Sequence, residues 1–195
     1  MARFVPVTTA LQADDYLQAR RQGGGDVEIA YADLYAQVDV HCLSTARPTG
    51  VAGLRIFETD TLRTLLHDGT NWIVMQEPIT SEAMTGFAAT GGTFTAISGT
   101  IRHRRSGAQC WWSATITITT VGTATGYVSF TLPRAGIASS FIGAGREVAA
   151  VGYMMQVITT GTSTAQVQRY DNATSIGGGW TMYLSGSYEM ATPYT

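Results

Sequence analysis

Between residues 109 and 120 the chain alternates strictly, with Trp112, Ala114, Ile116 and Ile118 on one side and Ser113, Thr115, Thr117 and Thr119 on the other. Successive residues of a strand point to opposite faces, so one face of this segment meets a core and the other meets water, the signature of an antiparallel sheet. Residues 179–189 repeat the pattern, Trp180, Met182, Leu184 and Gly186 opposing Thr181, Tyr183 and Ser185. Further strands are read at 92–103, 126–132, 147–158 and 165–170, separated by turn signals such as Ser106-Gly107 and Gly122-Thr123. Such spacing predicts an antiparallel β-sandwich of the jelly-roll kind over residues 92–195.

Upstream the pattern shortens. Residues 54–58 and 64–67 alternate, Asp68-Gly69 is a strong turn signal, and 72–75 forms a third strand. A small three-stranded meander over 46–78 follows from this, with 79–91 as a linker or covering strand. Three short strands with one large aromatic, Trp72, bury too little to stand alone, so the meander must lean on its neighbour or on another chain. Residues 8–21 read as a short helix, with Thr9 as cap, Gln12 three residues on and Arg20 and Arg21 near the C-terminal end of the dipole. Gly23, Gly24 and Gly25 end it. An isolated helix of this length is marginal, so Leu11, Tyr16 and Leu17 on its apolar side are the expected anchoring residues. Residues 30–37 fit a helix, whereas Val38, Val40 and Cys42 alternate as a strand does. The expected class is therefore mainly β: a short helical segment and oligomerisation region (1–45), the meander, the linker, and the sandwich.

Composition sharpens this picture. Charged residues make up 13% of the chain and apolar residues 45%, and the 22 glycines and many threonines suit turns and strands better than long helices. With a net charge of -2 and a pI of about 5.9, no global field gathers nucleic acid. The run Arg102, His103, Arg104, Arg105 is too short for a nucleic-acid groove and fits contact with an anionic surface or a neighbour's carboxylates. Cys42 and Cys110 lack metal or redox spacing and are expected to stay reduced, with a disulfide between them as the other reading. Neither a signal-peptide stretch nor an 18-residue apolar run occurs in the sequence, so membrane insertion is not expected and an extracellular location would arise by lysis or within a particle.

No catalytic residue, metal or cofactor is expected. The histidines His41, His67 and His103 stand beside no GxSxG elbow, and the Asp68-Gly69 turn already accounts for the aspartate next to His67. Glu58, Asp60, Asp68 and Glu77 are the carboxylates open to glycoside hydrolysis or calcium, and turn and edge chemistry explains them more simply. Gly23–Gly25 and Gly177–Gly179 join the wrong elements for a phosphate loop. Adjacent Trp111 and Trp112 must face opposite ways in a strand, so one of them is left for an interface or a glycan. Trp111 is therefore the first candidate contact, joined by Tyr183 on an outer face and by Arg102 and Arg104 on one side of a strand end.

Residues 47–75, RPTGVAGLRIFETDTLRTLLHDGTNWIVM, resemble the short meander of tail, fibre and appendage proteins of tailed bacteriophages, in which a Pro-Gly lead runs into a G-x-x-I/V-Y/F-x-T-D-T hairpin and then D-G-T-x-W. Gly53, Ile56, Phe57, Thr59, Asp60, Thr61, Asp68, Gly69, Thr70 and Trp72 carry the likeness. Residues 7–16, VTTALQADDY, are similar to the opening of many minor tail proteins, and 180–191, WTMYLSGSYEMA, to their closing strand, particularly in phages of actinobacteria. The resemblance implies a virion structural protein, typically trimeric, whose N-terminal part attaches to capsid, collar or tail proteins and whose C-terminal part faces the host. The chain lacks a coiled-coil or β-helical shaft, which points to a compact fibre, decoration or tail-tip appendage. A glycan-binding receptor-recognition module and a glycan hydrolase are the alternatives.

Overall fold

The computed structural model describes the backbone of residues 16–20 and 26–30 and the whole of residues 40–138 and 141–191. Strand β1 (Tyr16–Arg20) pairs antiparallel with β2 (Asp26–Ala30). Then come β3 (Val40–Cys42), β4 (Arg55–Glu58), β5 (Arg63–His67), β6 (Trp72–Gln76), β7 (Thr80–Ala83) and β8 (Ala88–Gly91). The longer strands follow: β9 (Ala96–Ser106), β10 (Gln109–Thr120), β11 (Thr125–Thr131), β12 (Phe141–Glu147), β13 (Met154–Thr159), β14 (Thr164–Arg169) and β15 (Trp180–Glu189). Strands β3 to β15 form one sheet in the order β3-β4-β5-β6-β9-β10-β15-β12-β13-β14-β11-β8, with β7 paired to β9.

Two expectations are corrected here. Among the described residues there is no helix. Tyr16 and Leu17 lie in β1 opposite Ala30 and Ile29, where a ladder to a segment carrying Val27 and Ile29 satisfies the backbone that a short unsupported helix would have to satisfy alone. Leu11 and residues 31–37 lie outside the described residues, and Ala30 ends β2. Nor do two sheets pack as a sandwich or jelly roll. A single sheet curls the apolar side of its longer strands around the main core, and among the described residues no ladder joins β9 to β11 to close it. The step from β7 to β8 spans that gap instead, Met84 N–H donating to Gly99 O and Thr131 N–H to Thr85 O. Long twisted strands allow this, because the inherited right-handed twist of β9, β10 and β15 carries the sheet round without a second layer.

The core gathers the inward positions of β10, β11, β12, β13, β14 and β15, among them Trp112, Ile116, Ile118, Val128, Phe130, Met155, Val167 and Met182. β10 and β15 fall where the alternation places them. β12 does not, since its Phe-Ile-Gly-Ala-Gly-Arg-Glu sequence carries no alternating apolar signal. Its glycines have a packing reason. Gly143 lies opposite Gly186, which lies opposite Trp112, so the indole rests against Gly143 while Gly186 lets the β12 backbone approach closely. A Cβ on Gly143 would stand 2.5 Å from Ser185 O and 2.7 Å from the Trp112 ring, and one on Gly186 would stand 2.0 Å from Ile142 O.

The meander has its own small core of Leu54, Ile56 and Leu65, flanked by Val40, Cys42, Trp72 and Val74. β3 joins it in parallel, Val40 opposite Ile56. Segment 79–91, read as a linker or covering strand, holds β7 and β8. The meander meets the large core through Gln76 opposite Ser106, Gly107 N–H to Met75 O and Glu77 N–H to Arg105 O. Buried Glu77 accepts from Arg134 at 2.5 Å and lies 3.4 Å from Arg63, so one carboxylate ties β5 to the loop after β11. Arg105 is buried beside it, and desolvation lowers its pKa against the favourable field of Glu77.

Two measurements probe this packing. Gly143→Ala should destabilise the chain by about 2 kcal/mol, because the methyl meets backbone rather than a movable side chain, and should lower the denaturant midpoint with little change in slope. Glu77→Gln should cost about 2 kcal/mol, less than a fully buried pair because Arg63 and Arg134 keep part of their surface in water. An unchanged melting temperature for Glu77→Gln would show that the junction is held by its backbone bonds alone.

Candidate functional site

What β10 keeps out of the core decides what it shows to solvent. On its outer face Trp111 stands opposite Arg104 on β9 and Ser187 on β15, and Ser113 stands opposite Arg102 and Ser185. One step further, Thr115 faces Thr100 and Tyr183. Trp111 is 50% exposed and Tyr183 56% exposed. Two adjoining depressions of about 580 and 400 Å³ run along this face, sharing Arg102, Ser113 and Ser185. Ile79 rims the first, and Tyr183 lines the second.

The four candidate contacts from the sequence, Trp111, Tyr183, Arg102 and Arg104, thus lie on one face. Arg102 and Arg104 are exposed and, among the described residues, in no ion pair, and no carboxylate lines either depression. Being two residues apart on one strand, their backbones are about 7 Å apart. His103 between them turns inward, its Nε2 3.2 Å from Glu82 Oε1. Sequence reasoning did not single out Ser113, Ser185 and Ser187. The same alternation that exposes Trp111 and Tyr183 is the signal that would have found them. Arg146 was missed for another reason: it is exposed opposite Tyr183 on β12, a strand the pattern did not predict.

The far end of the face is pinned by Glu147. Its buried carboxylate accepts the N–H groups of Ala149, Ala150, Val151 and Gly152 and that of Thr181 at the start of β15. Burial raises its pKa, but the N–H groups of Val151, Gly152, Ala149 and Ala150 outweigh this and hold it down to about 2. Strands β12 and β15, hence Arg146 and Tyr183, are aligned by that turn.

The carboxylates considered for hydrolysis or calcium are each engaged separately. Glu58 is fully buried, with Arg47 Nε donating to it at 2.5 Å and the Thr61 hydroxyl donating as well. Asp60 accepts the hydroxyl and the N–H of Ser44, which lower its pKa. Asp68 accepts the N–H groups of Asn71 and Thr70, which lower its pKa. Glu77 sits at the junction described above. His67 accepts the Gly69 N–H at Nδ1 and packs edge-on against Trp72 at 4.9 Å, so the residues of the T-D-T and D-G-T-x-W motifs shape the meander. Among the described residues no group of three or more His, Cys, Asp or Glu could hold a metal ion. Cys42 and Cys110 are free thiols. No family model, curated protein or solved structure matches the chain.

Because the folded pKa of Glu147 lies below its ordinary value of 4.5, its contribution to stability is complete above that pH and is lost as pH falls toward about 2. Melting temperature should therefore drop across that interval. Glu147→Gln should be less stable at neutral pH by roughly 2 kcal/mol or more and should show a shallower acid drop, which thermal scans at a series of pH values will read.

Proposed function

We propose that the chain is a virion structural protein of the tailed-bacteriophage kind, a compact homotrimeric appendage that is anchored through its N-terminal region and presents the β9–β10–β15 face to a host surface. The observation that carries this reading is Trp111, half exposed on an otherwise hydroxyl-lined face, with Arg104 directly opposite it on β9 and Arg102 two residues along the same strand, neither in an ion pair among the described residues. An exposed indole retained beside free guanidinium groups is the composition of a contact centre, where Trp and Arg dominate binding energy. That chemistry is stacking and hydrogen-bond donation, and the lining residues offer no carboxylate as a general acid or base.

Self-association draws support from the meander. It buries three large apolar side chains fully while Leu43, Val51, Leu62 and Met75 remain exposed in and around it, an apolar surface that further copies can cover. The sequence likeness of residues 47–75 to phage appendage proteins supplies the virion context.

Light scattering of the full chain at micromolar concentration should give three times the 20.8 kDa chain mass, and a monomeric mass would remove the trimer. Electron microscopy of the native particle should find the chain as three-fold density. Particles carrying Trp111→Ala should assemble normally but adsorb to host cells about tenfold less. Because β3 pairs with β4, an anchoring test should delete residues 1–38 and leave Val40–Cys42 in place. Absence of the chain from the particle, or normal adsorption by the Trp111 variant, would overturn the corresponding half of the reading.

A further inference from the structure

The two arginines on β9, Arg104 opposite Trp111 and Arg102 opposite Ser113, narrow the ligand that the face can take. A pyranose has a C–H face that packs on an indole and a rim of hydroxyls that need donors and acceptors. Trp111 supplies the platform, and Ser113, Ser185 and Ser187 set a row of hydroxyls along the floor of the larger depression. A neutral sugar would leave Arg102 and Arg104 without a partner. Their planar guanidinium groups match a planar carboxylate in a two-point fork, which is the strongest hydrogen-bonding arrangement an exposed arginine makes.

Other occupants fit less well. A second copy docked on this face by two-fold symmetry would bring arginine against arginine, since neither depression is lined by a carboxylate. A long nucleic-acid strand is opposed by the chain's net charge of -2 and by the shortness of the cationic row. An apolar peptide would bury the serine row and both guanidinium groups without partners.

We propose that the groove between β9, β10 and β15 binds a carboxylate-bearing saccharide, Trp111 stacking on the ring and Arg102 and Arg104 holding the acid. This rests on the reading of the face as an attachment surface and adds the chemistry of what it attaches to. The serines bond the ring hydroxyls. Tyr183 and Arg146, at the far end of the same face, extend the contact to a second sugar unit.

The full chain is titrated with trigalacturonate and with sialyllactose, and in parallel with methyl-esterified trigalacturonate and lactose, by calorimetry and tryptophan fluorescence. At least one acidic probe should bind and quench fluorescence, and its neutral counterpart should bind about tenfold more weakly or not at all. Trp111→Ala should abolish measurable binding. Arg102→Gln and Arg104→Gln should each weaken it about tenfold, and all three exposed-site variants should keep the parent melting temperature within a few degrees.

Equal affinity for acidic and neutral probes overturns the role of the arginines, and failure of both acidic probes overturns the saccharide. Tighter binding of a short oligothymidylate than of either acid overturns it in favour of nucleic acid. Host adsorption of Trp111→Ala particles separates this failure from that of the wider reading. Reduced adsorption without acidic-sugar binding keeps the attachment face and removes the sugar, whereas sugar binding with normal adsorption keeps the site and removes its role in attachment.

Discussion

Burial of the inward side of β10 is the contact on which the rest of the large core is built. Trp112, Ala114, Ile116 and Ile118 reach the centre, and β9 and β15 pair with the strand along nearly its whole length. Trp112 then demands room, which Gly143 provides, and Gly186 admits the β12 backbone at Ile142 and Gly143, which sets how closely β12 lies on β15. Through β13 and β14 the sheet continues round to β11, whose Val128 and Phe130 complete the enclosure of the same core. A curled single sheet results because one apolar face finds itself across the curl.

The meander is attached by different physics. Its three fully buried apolar residues contribute little area, and its link to the large core depends on a short stretch of backbone bonds and on Glu77 among three arginines. A carboxylate so placed offsets the desolvation of Arg105 and couples two units that share little apolar contact. Elsewhere in the meander polar side chains hold the turns: Asp60 to Ser44, Asp68 to the Thr70 and Asn71 amides, and Thr61 with Arg47 to Glu58. The residues of the T-D-T and D-G-T-x-W motifs are thus explained locally as the means by which short strands keep their shape without a substantial core.

Strict alternation also generates the candidate site. Every residue that β10 turns inward commits its neighbour to the outer face, so Trp111, Ser113 and Thr115 are exposed as a consequence of Trp112, Ala114 and Ile116 being buried. Pairing with β9 and β15 then adds Arg104 and Ser187 to one row and Arg102 and Ser185 to the next. At the other end the ring of amides around Glu147 fixes the turn that brings Arg146 beside Tyr183.

From the sequence alone, period-2 patterning located β10, β15 and the three meander strands and named Trp111, Tyr183, Arg102 and Arg104, because side-chain direction in a strand is a local property of the backbone. The same patterning could not reveal β12, whose glycines serve a neighbour rather than an alternation, nor that residues 16–20 extend as a strand against Asp26–Ala30 instead of coiling. It also suggested two stacked sheets where one sheet curls. Which strands become neighbours depends on close approach between distant segments, as at Gly143, Gly186 and Trp112, and on buried charges such as Glu77 and Glu147 finding partners far along the chain. The outward residues of the site were therefore local facts of the sequence, whereas their assembly into one groove was decided only when long-range pairing set β9, β10, β15 and β12 side by side.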